Sequence, residues 1–283
     1  MAISARPAND LPEPANVRSI DLRSAPTVRA GTFFWEGHDV VTGWHRHPYH
    51  QVEYALRGVA EVETPTGHYL LPPQQAIWIP AGLPHLTTLF DVTSVSVFFE
   101  PSMLPGPHDR ARVLAAAPVI REMIAYGVRW PIERPESDVT ADAYFDVLAR
   151  LVLDWLDEEA PLWLPTTADP VIADVIAFTD THLASATASD VCRAVGLSER
   201  TLRRRFVAAT GMTWRTYLLQ SRLLRAMTLL ADGTGGPGGS RTILDVATAV
   251  GFDSPSAFTR AFQGLTGERP SAYRARVSRS SSP

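Results

Sequence analysis

The carboxy-terminal third of the chain states one short pattern twice. Asp190-Val191-Cys192-Arg193-Ala194-Val195-Gly196 returns 55 residues later as Asp245-Val246-Ala247-Thr248-Ala249-Val250-Gly251. Leu202, Arg204, Phe206, Thr210-Gly211 and Tyr217 return 56 residues later as Phe258, Arg260, Phe262, Thr266-Gly267 and Tyr273. A tandem pair of one small helical unit is implied. Each copy reads as a short apolar helix, a turn at Gly196 or Gly251, and a second helix opened by Ser198 or Ser254 as N-cap. That order is a helix-turn-helix.

The second helix of each copy carries the informative side chains. In Ser198-Glu-Arg-Thr-Leu-Arg-Arg-Arg-Phe206, Leu202 and Phe206 stand four apart and face a core, while Arg200, Thr201, Arg203 and Arg204 fall on other faces. A guanidinium there can donate two parallel hydrogen bonds to guanine in a major groove, or clamp a phosphate. The second copy is less basic, offering Ser256, Thr259 and Arg260, and is expected to position more than it specifies. Charge supports this reading only when the chain is split. Residues 190–283 hold 14 Arg against 6 acidic residues, net +8, whereas residues 1–189 hold 12 Arg against 24 acidic residues, net −12. Every basic residue is Arg.

Between the two copies, Trp214, Tyr217, Leu218, Leu224, Met227 and Leu230 recur mostly every three to four residues, from Thr213 as a cap to Gly233 as a stop. About 18 helical residues span roughly 27 Å, close to the ~34 Å of one duplex turn. Two units so joined can read one face of a site. Gly233-Thr-Gly-Gly-Pro-Gly-Gly-Ser240 follows as a flexible linker by composition.

These residues resemble the AraC/XylS type of bacterial transcription factor over about 170–276. The resemblance rests on the spacing of Gly196, Leu202, Phe206, Gly211 and Tyr217, and of Ala249-Val250-Gly251-Phe252, Phe258, Arg260-Ala-Phe262, Pro270 and Tyr273. It implies two helix-turn-helix units on one long helix, entering successive major-groove segments of double-stranded promoter DNA. The base-reading positions fall on Arg200, Arg203 and Arg204, and on Pro255, Ser256 and Arg260. Pro255 brings no side-chain donor.

The amino-terminal half reads as short strands: Val52 to Leu56, Val59 to Glu63, Tyr69 to Leu71, Ala76 to Ile79 and Val92 to Phe99. Turns are expected at Arg57-Gly58, Pro65-Thr-Gly67, Pro72-Pro73 and Pro80-Ala-Gly82, which suits a small β-barrel. Six of the eight histidines lie between His38 and His85. On a strand, positions 45 and 47 project to one face, as two imidazoles on one metal require, and Gln51 and Glu53 share their parity. His45-Arg-His47-Pro-Tyr-His50-Gln51 with Gly58, and Pro80-x-Gly82-x-x-His85, resemble the two signatures of cupin barrels. There His-x-His, a following Glu and a later His bind metal. Here Gln51 stands at the Glu position, Gln74 at the Gly position and Leu89 at the Asn position. Two readings stay open: a divalent-ion site (zinc, nickel or similar) on His45, His47, Gln51, Glu53 and His85, or histidines lining a pocket for a small-molecule effector. Phe33, Phe34, Trp35, Trp44, Tyr49, Tyr54 and Trp78 would stack on an aromatic effector or form core.

Tyr144, Leu148, Leu151 and Trp155 form an apolar helical stripe. Such a stripe packs on its own domain or meets a second copy; the resemblance favours the second, making about 139–159 a dimerisation helix and the chain a homodimer. The expected organisation is α+β: a tail at 1–16, a cupin-like sensor at 17–160, a linker at 161–170, an all-α double helix-turn-helix at 171–276 and a tail at 277–283. No run approaches the ~20 apolar residues of a membrane span, and the lone Cys192 excludes an internal disulfide. With no basic-then-apolar signal at its start, a cytoplasmic regulator is expected. It would act without turnover, answering a metal or small molecule and, where it activates, meeting RNA polymerase. The rival is a metal-dependent cupin enzyme fused to a DNA-binding domain. Gln51 in place of Glu counts against it.

Overall fold

The computed structural model describes residues 27–37, 40–71, 75–157, 159, 162–231 and 241–279. The chain divides into two units between Trp163 and Leu164. Gln74, His38 and the Gly233–Ser240 linker fall outside the described residues, as does the turn at Pro72-Pro73.

The first unit is built on one sheet. Its strands are β1 (Ala30–Gly37), β2 (Val40–Val41), β3 (His50–Thr64), β4 (Gly67–Leu71), β5 (Gln75–Ile79), β6 (Leu86–Phe99) and β7 (Arg112–Ala115). The long antiparallel pair β3 and β6 carries the rest. The first half of β3 pairs with β5 and its second half with β4, while β1 and β2 divide β6. The expected turn at Arg57-Gly58 is not a turn. Register shifts between Ala55 and Arg57 and between Arg57 and Val59 absorb it as an irregularity within one continuous strand.

Alternation splits this sheet into two chemically different faces. Val52 and Tyr54 on β3, Ala76 and Trp78 on β5, and Val95, Val97 and Phe99 on β6 form one buried apolar face. Helices α1 (Pro118–Gly127) and α2 (Val139–Trp155) cover it with Ile120, Ile124, Phe145, Leu148, Val152 and Trp155. Asp138 caps α2, accepting from the backbone N–H groups of Thr140 (2.7 Å) and Ala141 (3.1 Å). The stripe expected to meet a second copy therefore packs inward on its own barrel. Leu148 and Trp155 are buried, and Tyr144 and Leu151 are half-buried beside them. The helix also ends at Trp155, short of 159, and Glu159 forms an isolated bridge with Leu114. Tyr54 and Trp78 belong to this core, which removes them from an effector stack.

The second unit is helical. It comprises α3 (Pro170–Thr181), α4 (Ala188–Val195), α5 (Glu199–Thr210), α6 (Trp214–Ala231), α7 (Ile243–Ala249), α8 (Pro255–Thr266) and α9 (Pro270–Arg279). Each expected cap is in place: Asp169 on α3, Ser198 on α5 and Ser254 on α8, and Thr242 opens α7 with a capping box closed by Asp245. The joining helix α6 is 18 residues long. Part of the expected tail is also structured, since α9 carries on past Arg276 and Val277 is 2% exposed. Likewise Trp163–Pro165, within the expected linker, is a strand.

Candidate functional site

The sequence repeat extends to atomic detail. Phe206 meets Tyr217 edge-on at 5.5 Å and Phe262 meets Tyr273 edge-on at the same 5.5 Å. Thr210 donates to the carbonyls of Phe206 and Met212, and Thr266 to those of Phe262 and Glu268. Each core aromatic fixes the azimuth of its helix, so the opposite faces of α5 and α8 are presented outward. Leu202 and Phe206 are buried on α5, leaving Arg200, Arg203 and Arg204 exposed. None of these three, nor Arg260 on α8, forms a hydrogen bond or ion pair among the described residues. Arg205, next in the same run, is committed elsewhere: its Nη2 donates to both carboxylate oxygens of Asp169 at 2.8 Å. That guanidinium holds the Asp169 carboxyl below the usual carboxylate range. Thr201 is half-buried, its hydroxyl 2.9 Å from the capping Ser198 oxygen, so it serves the cap. On α8, Ser256 and Arg260 are exposed and Thr259 is half-buried.

The barrel's other face is polar. Gln51, Glu53, Ser94 and Ser96 project from β3 and β6 opposite the apolar layer, and all are buried. His45 and His47 are not on a strand. They lie in the loop before β3, and His45 pairs with His85 through a two-way backbone bridge of 2.9 Å bonds. That bridge brings together residues 40 apart in sequence. One ring nitrogen from each of His45, His47 and His85 lies within 4.8 Å of the others. Each ring anchors Nδ1 on a carbonyl at 2.9 Å: His45 on Gly43, His47 on Tyr49 and His85 on Leu83. Neutral imidazoles so held donate through Nδ1 and keep the Nε2 lone pair for a ligand. The Nε2 of His85 is buried without a hydrogen-bond partner.

Gln51 completes the arrangement in an unexpected way. Its Oε1 stands 2.8 Å from His47 Nε2, and its Nε2 donates to Glu53 (3.0 Å) and Ser96 (3.4 Å). With Nδ1 of His47 protonated toward Tyr49, two acceptor lone pairs converge, which suits a shared cation. Glu53 does not join the histidines. It accepts from Gln51 and Ser96, orienting the amide from behind, and burial pushes its carboxyl up despite those bonds. Burial also lowers His47, and lowers His85 to about 3, His45 adding to the shift at both. The His47 and His85 rings are thus held in the neutral form, beside the Gln51 amide oxygen. Parity in sequence had placed Gln51 and Glu53 alike. Only the pairing of β3 with β6 reveals that Ser96 takes Glu53 away.

A family model described as an AraC-like ligand binding domain matches residues 32–152, and one described as a helix-turn-helix domain matches residues 191–276. The HTH-type transcriptional regulator NimR of Escherichia coli K12 is 27% identical over 242 residues, 82% of each chain. The HTH-type transcriptional activator RhaR of Pectobacterium atrosepticum is 41% identical over 85 residues, 30% of this chain and 28% of its own. Among solved structures, the DNA-binding domain of the global transcriptional factor AdpA with a target DNA is 32% identical, covering 38% of this chain and 93% of that one, TM-score 0.34.

Proposed function

This chain belongs to the AraC-type transcription regulators, with a ligand-binding domain and a DNA-binding helix-turn-helix region, and on that premise we propose that a divalent cation is what its sensor domain binds. His45, His47 and His85 supply three nitrogens and Gln51 an amide oxygen. Such a set matches zinc or nickel better than a hard, oxygen-seeking ion. The carrying observation is the convergence of three imidazole nitrogens within 4.8 Å, each ring locked by a carbonyl. A bound ion would supply a Lewis-acidic centre to which an effector's donor atom attaches. The chain's own residues fix the tautomers and hold the Gln51 amide.

Regulation then follows from linkage. A ligand that binds the DNA-competent state more tightly raises DNA affinity by the same factor. Arg200, Arg203 and Arg204 on α5 read bases, while Ser256, Thr259 and Arg260 on α8 mainly dock the second helix-turn-helix. A homodimer is supported by the outward sides of α1 and α2, where Val119, Tyr126, Val139 and Val147 are 52–88% exposed. Where the protein activates, RNA polymerase is its further partner. A cytoplasmic setting goes with the DNA-binding role; among the described residues no helix is long and apolar enough to cross a membrane. The alternative is a metal-dependent enzyme; Glu53, turned toward Ser96, does not complete a histidine-and-carboxylate ligand set for it.

The test is metal content. The chain, purified without a histidine tag or chelator, should carry close to one metal ion, absent from a His45→Ala, His47→Ala double variant. No metal after incubation with zinc, nickel and iron would overturn the cation reading and leave an organic-ligand pocket.

A further inference from the structure

We infer that Arg222 sets the spacing at which the two recognition helices read DNA. This goes beyond the sensor reading and does not depend on it. Arg222 lies midway along α6 and is half-buried. Its Nε donates to the carbonyl of Leu183 at 2.9 Å and its Nη2 to that of Ala184 at 2.9 Å, both in the segment between α3 and α4 that leads into the first helix-turn-helix. Its Nη1 donates to the carbonyl of Gly251 at 3.0 Å, in the turn of the second helix-turn-helix. One planar fork therefore joins both reading units to the helix between them.

Three features make this a gauge rather than ordinary packing. A guanidinium is rigid and its donors are directed, so three backbone carbonyls can satisfy it in only one relative placement. Apolar contacts around Met227 and Leu230 are non-directional and tolerate slippage. The backbones at the joint are also in direct contact: a Cβ at Gly251, whose φ is +85°, would sit 2.1 Å from the Ala184 oxygen. Finally, the first half of α6 is separately fixed to α3, with Trp214 Nε1 donating to Thr179 at 2.9 Å and the Tyr217 hydroxyl to Asp180 at 3.2 Å. Arg222 extends that fixed frame to the second helix-turn-helix.

The experiment uses the full chain and duplexes selected for it from a random library, re-spaced by one or two base pairs between the two contacted segments. The wild type should lose at least about tenfold in affinity on re-spacing, since one unit's specific contacts are forfeited. Arg222→Met and Arg222→Lys should lose affinity for the best site and shrink that spacing penalty by at least half on a logarithmic scale. In parallel, spin labels on cysteines at the exposed Ala208 and Gln263, in a Cys192→Ser background, read the distance between α5 and α8 without DNA. The distribution should be narrow in the wild type and broader in both variants. A variant that binds all spacings more weakly by one common factor, with a narrow distance distribution, would show a merely structural arginine and overturn the proposal. If Arg222→Met fails to fold by circular dichroism, Arg222→Lys decides: an unchanged spacing profile and distribution in it sink the idea.

Discussion

The run Arg203-Arg204-Arg205 offers a sharp test, because three chemically identical neighbours are assigned different work. Arg203 and Arg204 are exposed on α5 and unpaired among the described residues, so truncation breaks no ion pair or hydrogen bond there and should shift folding stability by no more than about 0.5 kcal/mol. If either makes a bidentate base contact, its alanine variant should lose about 1–3 kcal/mol of specific binding. At 1.4 kcal/mol per decade that is roughly 5- to 140-fold in Kd. A base reader should lose sequence preference at one position while keeping the salt slope; a phosphate contact should lower the slope by about 0.9 and leave preference intact. Arg205→Ala should do the reverse. It frees Asp169, which also caps α3, and so should lower the thermal midpoint. Its effect on sequence preference should be small. Fluorescence anisotropy at several salt concentrations, with a thermal melt of each variant, separates the three. If Arg205→Ala matched Arg204→Ala in lost specificity with an unaltered melt, the assignment of faces on α5 would be wrong.

Gly251→Ala should be far more harmful than Gly196→Ala. Both residues have positive φ, costing about 1–2 kcal/mol for a side chain, but only at Gly251 would the Cβ strike the Ala184 backbone; comparing their melting temperatures checks this. Phe206→Ala and Phe262→Ala, each emptying a fully buried position beneath a tyrosine, should each cost about 3–5 kcal/mol by denaturant titration. Stability without metal should fall as pH drops. Burial, with His108 nearby, lowers His50 to about 4, and burial lowers His85 to about 3, so the unfolded chain takes up protons first, from about pH 6.5 downward. The stability present above pH 6.5 should be lost progressively toward pH 3 to 4, and His50→Gln should flatten part of that decline. Glu53→Leu, which removes the acceptor orienting the Gln51 amide, should weaken metal binding by about 10- to 100-fold in competition with a chelator, without touching a nitrogen ligand.

Much of the helical half is legible in sequence because its determinants are local. A cap acts across three residues and a buried stripe recurs within two turns, so Asp169, Ser198, Ser254 and the 18-residue α6 follow from neighbours alone. The barrel is only half legible for the opposite reason. Alternation shows that Gln51 and Glu53 share a face, but which one meets the histidines depends on Ser96, more than 40 residues away on β6. The extra residues around Gly58 look like a turn because local chemistry cannot tell a bend from an irregular strand that two partners hold in line. The apolar stripe of α2 reads equally well as an interface or a core, and only the facing layer of Val95, Val97 and Phe99 decides. One principle covers these cases and the arginine run. Sequence specifies which functional atoms exist, whereas long-range partners determine which remain available. Asp169 uses up Arg205 as Ser96 uses up Glu53, and what is left over, Arg203 and Arg204 in one unit and Gln51 with three imidazoles in the other, is what can face a ligand. Thus a search for binding residues in such a chain gains more from asking what satisfies each charged neighbour than from counting charges.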